Sequence, residues 1–215
     1  MSETTLIYAA QRGDQNAFNQ LVLAYQDFVY CQAYYMLGER QAAEDAAQDT
    51  FVSAFRGLRA FRGGSFKGWL LRIVTNACYD ELRRRKRRPT TPLERLDQDE
   101  NELDLLNCLA DPGDPLELRA ERAELAKTLR RFLEELAPDF RAAVILVDIQ
   151  GLGYEEAAQI ADIPLGTLKS RLARARQQLG DRLALVYTRP TRTQPGRPEG
   201  ITRPFRTLGG LESAT

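Results

Sequence analysis

The chain has 215 residues with 30 basic and 30 acidic side chains, so its net charge points to no partner. Three scattered cysteines (Cys31, Cys78, Cys108), no CxxC and no histidine argue against a zinc site and for small inert thiols. No apolar run approaches the roughly 18–20 residues of a membrane span and the N-terminus lacks a signal-peptide pattern, so no membrane insertion and a cytoplasmic location are expected.

Four helical stretches precede the first break. Thr4 to Arg12 is short and stops near Gly13. Asp14 can cap the next helix, in which Phe18, Leu21, Val22, Tyr25, Phe28, Val29, Ala33 and Met36 keep helical spacing as far as Gly38. A third runs from Glu39 to Leu58, with Ala43, Ala46, Ala47, Thr50, Phe51 and Ala54 inward. Phe61-Arg62-Gly63-Gly64-Ser65 breaks the pattern. Ser65 can cap a fourth helix from Phe66 to about Arg87, burying Phe66, Leu70, Ile73, Ala77 and Leu82. No period-2 alternation is long enough for a strand, so the fold class predicted is all-α.

Charge is strongly blocked. Nine basic residues (Arg62, Lys67, Arg72, Arg83, Arg84, Arg85, Lys86, Arg87, Arg88) stand against Asp80 and Glu81. From Leu93 to Glu117, nine acidic residues stand against Arg95 alone. A neutral total therefore hides cationic surfaces of the kind that nucleic acid selects.

Two constellations in this half carry chemistry. Glu44, Asp45, Gln48 and Asp49 form i, i+4 pairs and one acidic helix face. Three readings compete: a solvated face, a docking face for a basic partner, and a divalent-metal site of a nuclease, which would need converging ligands from elsewhere. The loop Arg62, Gly63, Gly64, Ser65 and the residues Lys67, Arg72, Thr75, Asn76 and Tyr79 lie mostly off the apolar stripe of the fourth helix. Cations, an amide and an aromatic suit a single strand, and glycines let backbone approach a base closely, while Phe66 and Trp69 read as core.

Pro89 to Pro115 reads as an acidic flexible linker whose 27 residues span about 30 Å r.m.s. and about 90 Å when extended. It serves either as a solvated tether or as a nucleic-acid mimic. Helical spacing resumes through Leu118, Leu125, Leu129, Phe132 and Leu133, and Pro138 precedes a helix from Asp139 to Asp148. After Tyr187, the Pro-, Thr-, Gly- and Arg-rich tail 188–215 is expected to be disordered.

Tyr154 to Leu179 reads as two short helices joined by a tight turn. Leu168, Leu172, Ala175 and Leu179 form one stripe of the second helix. Gly166, Thr167, Ser170, Arg174 and Gln177 project opposite, flanked by Lys169 and Arg171. Hydroxyls and an amide read base edges, and Lys and Arg grip phosphate. Asp162 tolerates the turn and Pro164 suits a helix start. An αα-hairpin with a solvated basic face is the bland alternative to a helix-turn-helix.

The run Pro164-Leu165-Gly166-Thr167-Leu168-Lys169-Ser170-Arg171-Leu172 resembles the recognition-helix start of the ECF (extracytoplasmic-function) bacterial sigma factors, and AEDAAQDTFVSAFRGLRAFRGGSFKGWLLRIVTNACYDELRRRKR is similar to their second conserved region. The likeness covers about residues 6–88 and 118–186. It implies two small helical domains joined by the acidic linker: 1–88, binding the polymerase clamp and the minus-ten element, and 116–187, whose helix-turn-helix reads the minus-thirty-five element. By the same likeness the Glu44–Asp49 face binds the clamp of the largest subunit of core RNA polymerase, and Asn76 and Tyr79, with the loop Phe61 to Ser65, face the melted minus-ten strand. Promoter DNA, duplex and melted, is the implied nucleic acid, and an anti-sigma factor is a further partner to consider. No catalytic residue, metal or cofactor is implied. Ala161 and Asp162 depart from the family, which more often has a larger apolar residue and Gly there. The runner-up is a regulator acting on duplex DNA without polymerase.

Overall fold

The computed structural model describes residues 2–87 and 116–187; the linker 89–115 and the tail 188–215 lie outside the described residues. Every regular element described is helical. In the N-terminal half these are α1 (Glu3–Gln11), α2 (Gln15–Leu37), α3 (Arg40–Gly57) with a 3-10 turn at Leu58–Ala60, and α4 (Phe66–Arg87). In the C-terminal half they are α5 (Leu116–Glu135), α6 (Pro138–Val144), α7 (Tyr154–Ile160) and α8 (Leu165–Tyr187).

The boundaries follow local chemistry. Asp14 Oδ1 accepts from the Asn16 and Ala17 N–H groups at 2.9 and 3.1 Å, satisfying two orphan donors of α2. Gly38 ends α2 at φ +71°, its N–H bonded to the Tyr34 carbonyl at 2.8 Å. Ser65 Oγ accepts from the Gly68 N–H at 2.9 Å and caps α4 as expected. Thr50, buried in α3, donates back to the Ala46 carbonyl at 2.7 Å.

Three expectations need correction. The buried face of α4 is Phe66, Gly68, Leu70, Leu71, Val74, Thr75 and Cys78, so the stripe is rotated from the one that Ile73, Ala77 and Leu82 suggested. The helix after Pro138 does not run evenly to Asp148: Ile145–Ile149 form a π turn, closed by the Gln150 N–H on the Ile145 carbonyl at 2.8 Å. Cys31 is not an inert thiol but disulfide-bonded, whereas Cys78 is free and buried, with burial pushing its pKa up to about 12.

The carboxyl end of α2 is buried on all sides from Cys31 to Leu37. The C-terminal half explains this: α5, α6 and the π turn pack on α2, and α7 packs on α4. One continuous cluster of buried residues therefore runs from Ile7 to Leu179. Arg141, 6% exposed, sits at this junction. Its guanidinium donates to the Met36 carbonyl of α2 and to the Glu134 and Leu136 carbonyls at 2.6 and 3.3 Å. Three carbonyls satisfy a charge that burial would otherwise penalise.

Candidate nucleic-acid interface

The turn between α7 and α8 behaves as its residues imply. Asp162 adopts φ +54°, among the described residues the only non-glycine with positive φ. The Pro164 carbonyl accepts from the Thr167 and Leu168 N–H groups at 2.9 and 3.1 Å, starting α8. Leu168, Leu172, Ala175 and Leu179 are all buried, with 0–8% exposure. Truncating a buried leucine of this kind to Ala costs about 2–5 kcal/mol, so this stripe fixes which face of α8 looks outward.

That outward face presents Gly166, Lys169, Ser170, Arg174 and Gln177 exposed, with Thr167 half-buried. Ser170 Oγ donates to the Thr167 carbonyl at 2.9 Å, leaving its lone pairs outward. Among the described residues, Arg174 and Gln177 have no hydrogen-bond or ionic partner. Arg171 differs: it pairs with Asp139 of α6 at 2.8 Å, its side chain 25% exposed. Arg176, which the sequence did not single out, forks onto both oxygens of Asp148 in the π turn. That carboxylate raises its pKa and braces the helix against its support.

The second surface lies at α4 and the loop before it. Gly63 and Gly64 adopt φ +101° and +91°, with nothing within 4 Å of where a Cβ would stand. Glycine is needed there for backbone conformation. Gln11 of α1 donates to the Leu58 and Phe61 carbonyls at 3.1 and 2.9 Å and pins the loop's start. The rings of Phe61, Phe66 and Trp69 cluster edge-to-face and tilted, their centroids 5.2–5.5 Å apart, Phe66 being core and Trp69 half-buried. Arg62 reaches back to the Arg59 carbonyl at 3.0 Å, and Ser65 and Asn76 remain exposed.

The other residues of this set are engaged. Thr75 is buried and accepts from Gln32 at 3.1 Å, which removes it from any surface. Lys67 Nζ sits 4.0 Å over the Phe28 ring and donates to the Gln150 carbonyl at 3.0 Å; burial lowers its pKa. Arg72 stands 3.8 Å from Asp162 of the helix-turn-helix, an exposed pair worth little. Burial, then Asp139, pushes the Tyr79 phenol up to about 12.

The acidic face of α3 is open. Glu44, Asp45, Gln48 and Asp49 are all exposed, with Arg40 bonding Glu44 at 2.8 Å and Gln41 bonding Asp45 at 3.2 Å. Val52 and Phe55 continue the same face at 41% and 47% exposure. Their spacing, four and seven residues beyond Gln48, is the sequence signal that places them on this face. Among the described residues, no group of three or more His, Cys, Asp or Glu is placed to hold a metal ion, and no helix is long and apolar enough to cross a membrane.

Comparisons with known proteins converge on this layout. Residues 21–88 match the family described as Sigma-70 region 2, and residues 126–179 match Sigma-70, region 4. The chain is 40% identical to the ECF RNA polymerase sigma factor SigE of Mycolicibacterium smegmatis over 80% of its own length and 65% of that protein. It is 35% identical to the RNA polymerase sigma-H factor of Pseudomonas aeruginosa over 81% and 90% of the two chains. With the ECF sigma-E factor of Escherichia coli K12 the identity is 36%, over 88% and 98%. Among solved structures, CnrH in complex with the cytosolic domain of CnrY matches at TM-score 0.58 and 27% identity, over 84% of this chain and 96% of that one. RpoE of Bartonella quintana, in complex with the anti-sigma factor NepR, matches at TM-score 0.57 and 26% identity, over 80% and 98%.

The two matched regions in this order define a sigma factor. The chain belongs to the ECF subfamily of bacterial RNA polymerase sigma factors, which bind core RNA polymerase and direct promoter recognition and transcription initiation.

Proposed function

We propose that this sigma factor divides promoter work between an N-terminal domain, 1–88, and a C-terminal domain, 116–187, joined by the acidic linker 89–115 and followed by the tail 188–215. In this reading Gly166, Thr167, Lys169, Ser170, Arg171, Arg174 and Gln177 meet the minus-thirty-five duplex. Arg62, Gly63, Gly64, Ser65, Lys67, Arg72, Asn76 and Tyr79 meet the melted minus-ten strand. Glu44, Asp45, Gln48 and Asp49 dock on the polymerase clamp. The chain is not itself an enzyme and works in the cytoplasm, the polymerase supplying the phosphoryl-transfer chemistry. The solved relatives held by CnrY and NepR support an anti-sigma factor as a partner here too.

The observation that carries the reading is α8: a fully buried leucine stripe backs an exposed face on which Arg174 and Gln177 are unpaired among the described residues. Within that face, roles divide. Lys169, 6.0 Å from the Tyr154 ring, lies at the flank where groove walls carry phosphate. Lys169→Ala should weaken all duplexes alike and reduce the salt slope by about one. Arg174→Ala should relax preference at particular base pairs, a bidentate contact being worth about 1–3 kcal/mol. The test is a salt series, with core polymerase present, on duplexes carrying each single-base change in the upstream element. Uniform losses from both variants would remove base reading from this helix.

A further inference from the structure

The carboxyl ends of α1 and α3 meet at the 3-10 turn that leads into the glycine loop. Gln11, the last residue of α1, donates to the Leu58 and Phe61 carbonyls there. Four arginines lie in the segments that meet. Arg12 follows α1, Arg56 is in the last turn of α3, Arg59 is in the 3-10 turn, and Arg62 bonds the Arg59 carbonyl at 3.0 Å. All four are exposed, and among the described residues none has a carboxylate partner. Other arginines of this half do: Arg40 pairs with Glu44, Arg83 with Asp80, Arg84 with Glu81 and Arg85 with Glu39. Asp14, the acid nearest to Arg12 in sequence, is occupied in capping α2.

Helix ends account for part of this. The carbonyl ends of α1 and α3 favour Arg12 and Arg56, but that effect fades within the last turn and adds little for Arg59 or Arg62. Like charges left unpaired repel one another, so the patch gains when a polyanion neutralises it. An aromatic stands beside it. Tyr8 is 65% exposed, and among the described residues its side chain has no ring neighbour and no hydrogen bond. It precedes Gln11 by three residues and Arg12 by four, so it shares a side of α1 with both. Cations with an exposed ring among them suit a single strand, whose phosphates take the guanidiniums and whose bases take the ring. A duplex would use the cations and leave Tyr8 idle.

We propose that the melted strand runs on past the glycine loop, across the 3-10 turn to α1, where Arg12, Arg56 and Arg59 hold its phosphates and Tyr8 stacks one unpaired base. This rests on the minus-ten assignment of Arg62 to Ser65 made above, and adds a second segment of the same strand. Contacts of this kind tolerate any sequence, because every base has a π face and every nucleotide a phosphate. They lengthen the grip on melted DNA and leave the choice of promoter to other surfaces.

The test uses the full chain in complex with core polymerase, with core alone as the blank. A fluorescein-labelled single strand of mixed sequence is read by anisotropy over a salt series. Tyr8→Ala should weaken the strand about fivefold or more, the share of one stacked base, and Tyr8→Phe should restore it. Arg12→Gln with Arg59→Gln should lower the salt slope by about 1.4, as two phosphate contacts are lost. Co-elution with core polymerase should stay unchanged in every variant, and Tyr8→Ala should leave a duplex of the same sequence unaffected. Wild-type strand affinity in both the tyrosine and the arginine variants overturns the proposal. So does loss of co-elution in the arginine variant, which would make the patch a site for an acidic face of the polymerase. Equal weakening of strand and duplex by Tyr8→Ala overturns it too, since stacking needs an unpaired base. Asn76→Ala of α4 separates the two readings: if it weakens the strand while the Tyr8 and arginine variants do not, the minus-ten assignment stands and only the extension fails. If none of them matters, both fail.

Discussion

The two surfaces proposed to meet nucleic acid are built on opposite plans. On α8, the supporting face and the face proposed to read bases belong to one helix, and the latter is open: Arg174 and Gln177 lean on nothing described. On α4, the surface is assembled from a glycine loop, an aromatic cluster and a helix edge, and half of that edge is engaged by a distant segment. The first plan is local and ready; the second is composite and conditional. A surface whose side chains are already paired must break those pairs before it binds.

The largest effect expected concerns the face that takes part in neither plan. Asp45→Lys with Asp49→Lys should abolish complex formation with core polymerase, read by gel filtration, while changing unfolding free energy by less than about 0.5 kcal/mol per site. Both carboxylates are exposed, and the only described partner is Gln41 on Asp45. Normal docking by the folded double variant would show that the open acidic face of α3 is merely solvated.

Next is the junction that makes α4 conditional. Arg141→Met leaves the Met36, Glu134 and Leu136 carbonyls without their donor in a buried setting. The expected loss is about 3 kcal/mol in a urea unfolding series, since each stranded buried acceptor costs roughly 1–3 kcal/mol and water recovers part of it. A loss below about 1 kcal/mol would mean that the two halves separate readily, and the contrast between open and covered surfaces would shrink.

These two residue groups also show what the sequence could and could not reveal. The acidic face and the α8 stripe were legible because each is a periodic pattern within one helix. Capping by Asp14 and Ser65 was legible for the same reason: donor and acceptor lie three residues apart or fewer. Arg141 was invisible, as its acceptor on Met36 is 105 residues away. The α4 stripe was misjudged because Ile73 and Ala77 satisfy helical spacing as well as Leu71, Val74 and Cys78 do. Only packing against α2, α3 and α7 chooses between them. Residues Cys31 to Leu37 did carry a signal, an apolar run with no polar side but Gln32, which marks a helix segment covered all round. The π turn had none, because Ile145–Ile149 read as ordinary helix.

A smaller effect separates the loop of α4 from the helix edge. Gly64→Ala meets no neighbour but forces alanine to φ +91°, which costs about 1–2 kcal/mol of backbone strain. The loop is exposed, so it should relax by moving, and global stability should fall by no more than that. Permanganate reactivity of unpaired thymines in the polymerase complex should fall further than complex formation does. Equal losses in both would place the loop in docking instead of strand capture.

The smallest effect belongs to Asp162, where the two plans touch. Asp162→Gly relieves a left-handed backbone at φ +54°, worth a few tenths to about 1 kcal/mol in the folded state. Against this, glycine gains freedom in the unfolded chain, worth about 0.4–1 kcal/mol. It also loses the pairing with Arg72, which at 3.8 Å and with side chains 51% and 85% exposed contributes little. The terms nearly cancel, and unfolding free energy should change by less than about 0.5 kcal/mol. The carboxylate itself lies beside α8, so its removal should strengthen duplex binding slightly and uniformly, without altering base preference. A loss of more than about 1 kcal/mol on unfolding would mean that the Arg72 pair helps to hold the halves together. The Arg141 junction would then share that task with the face over α4.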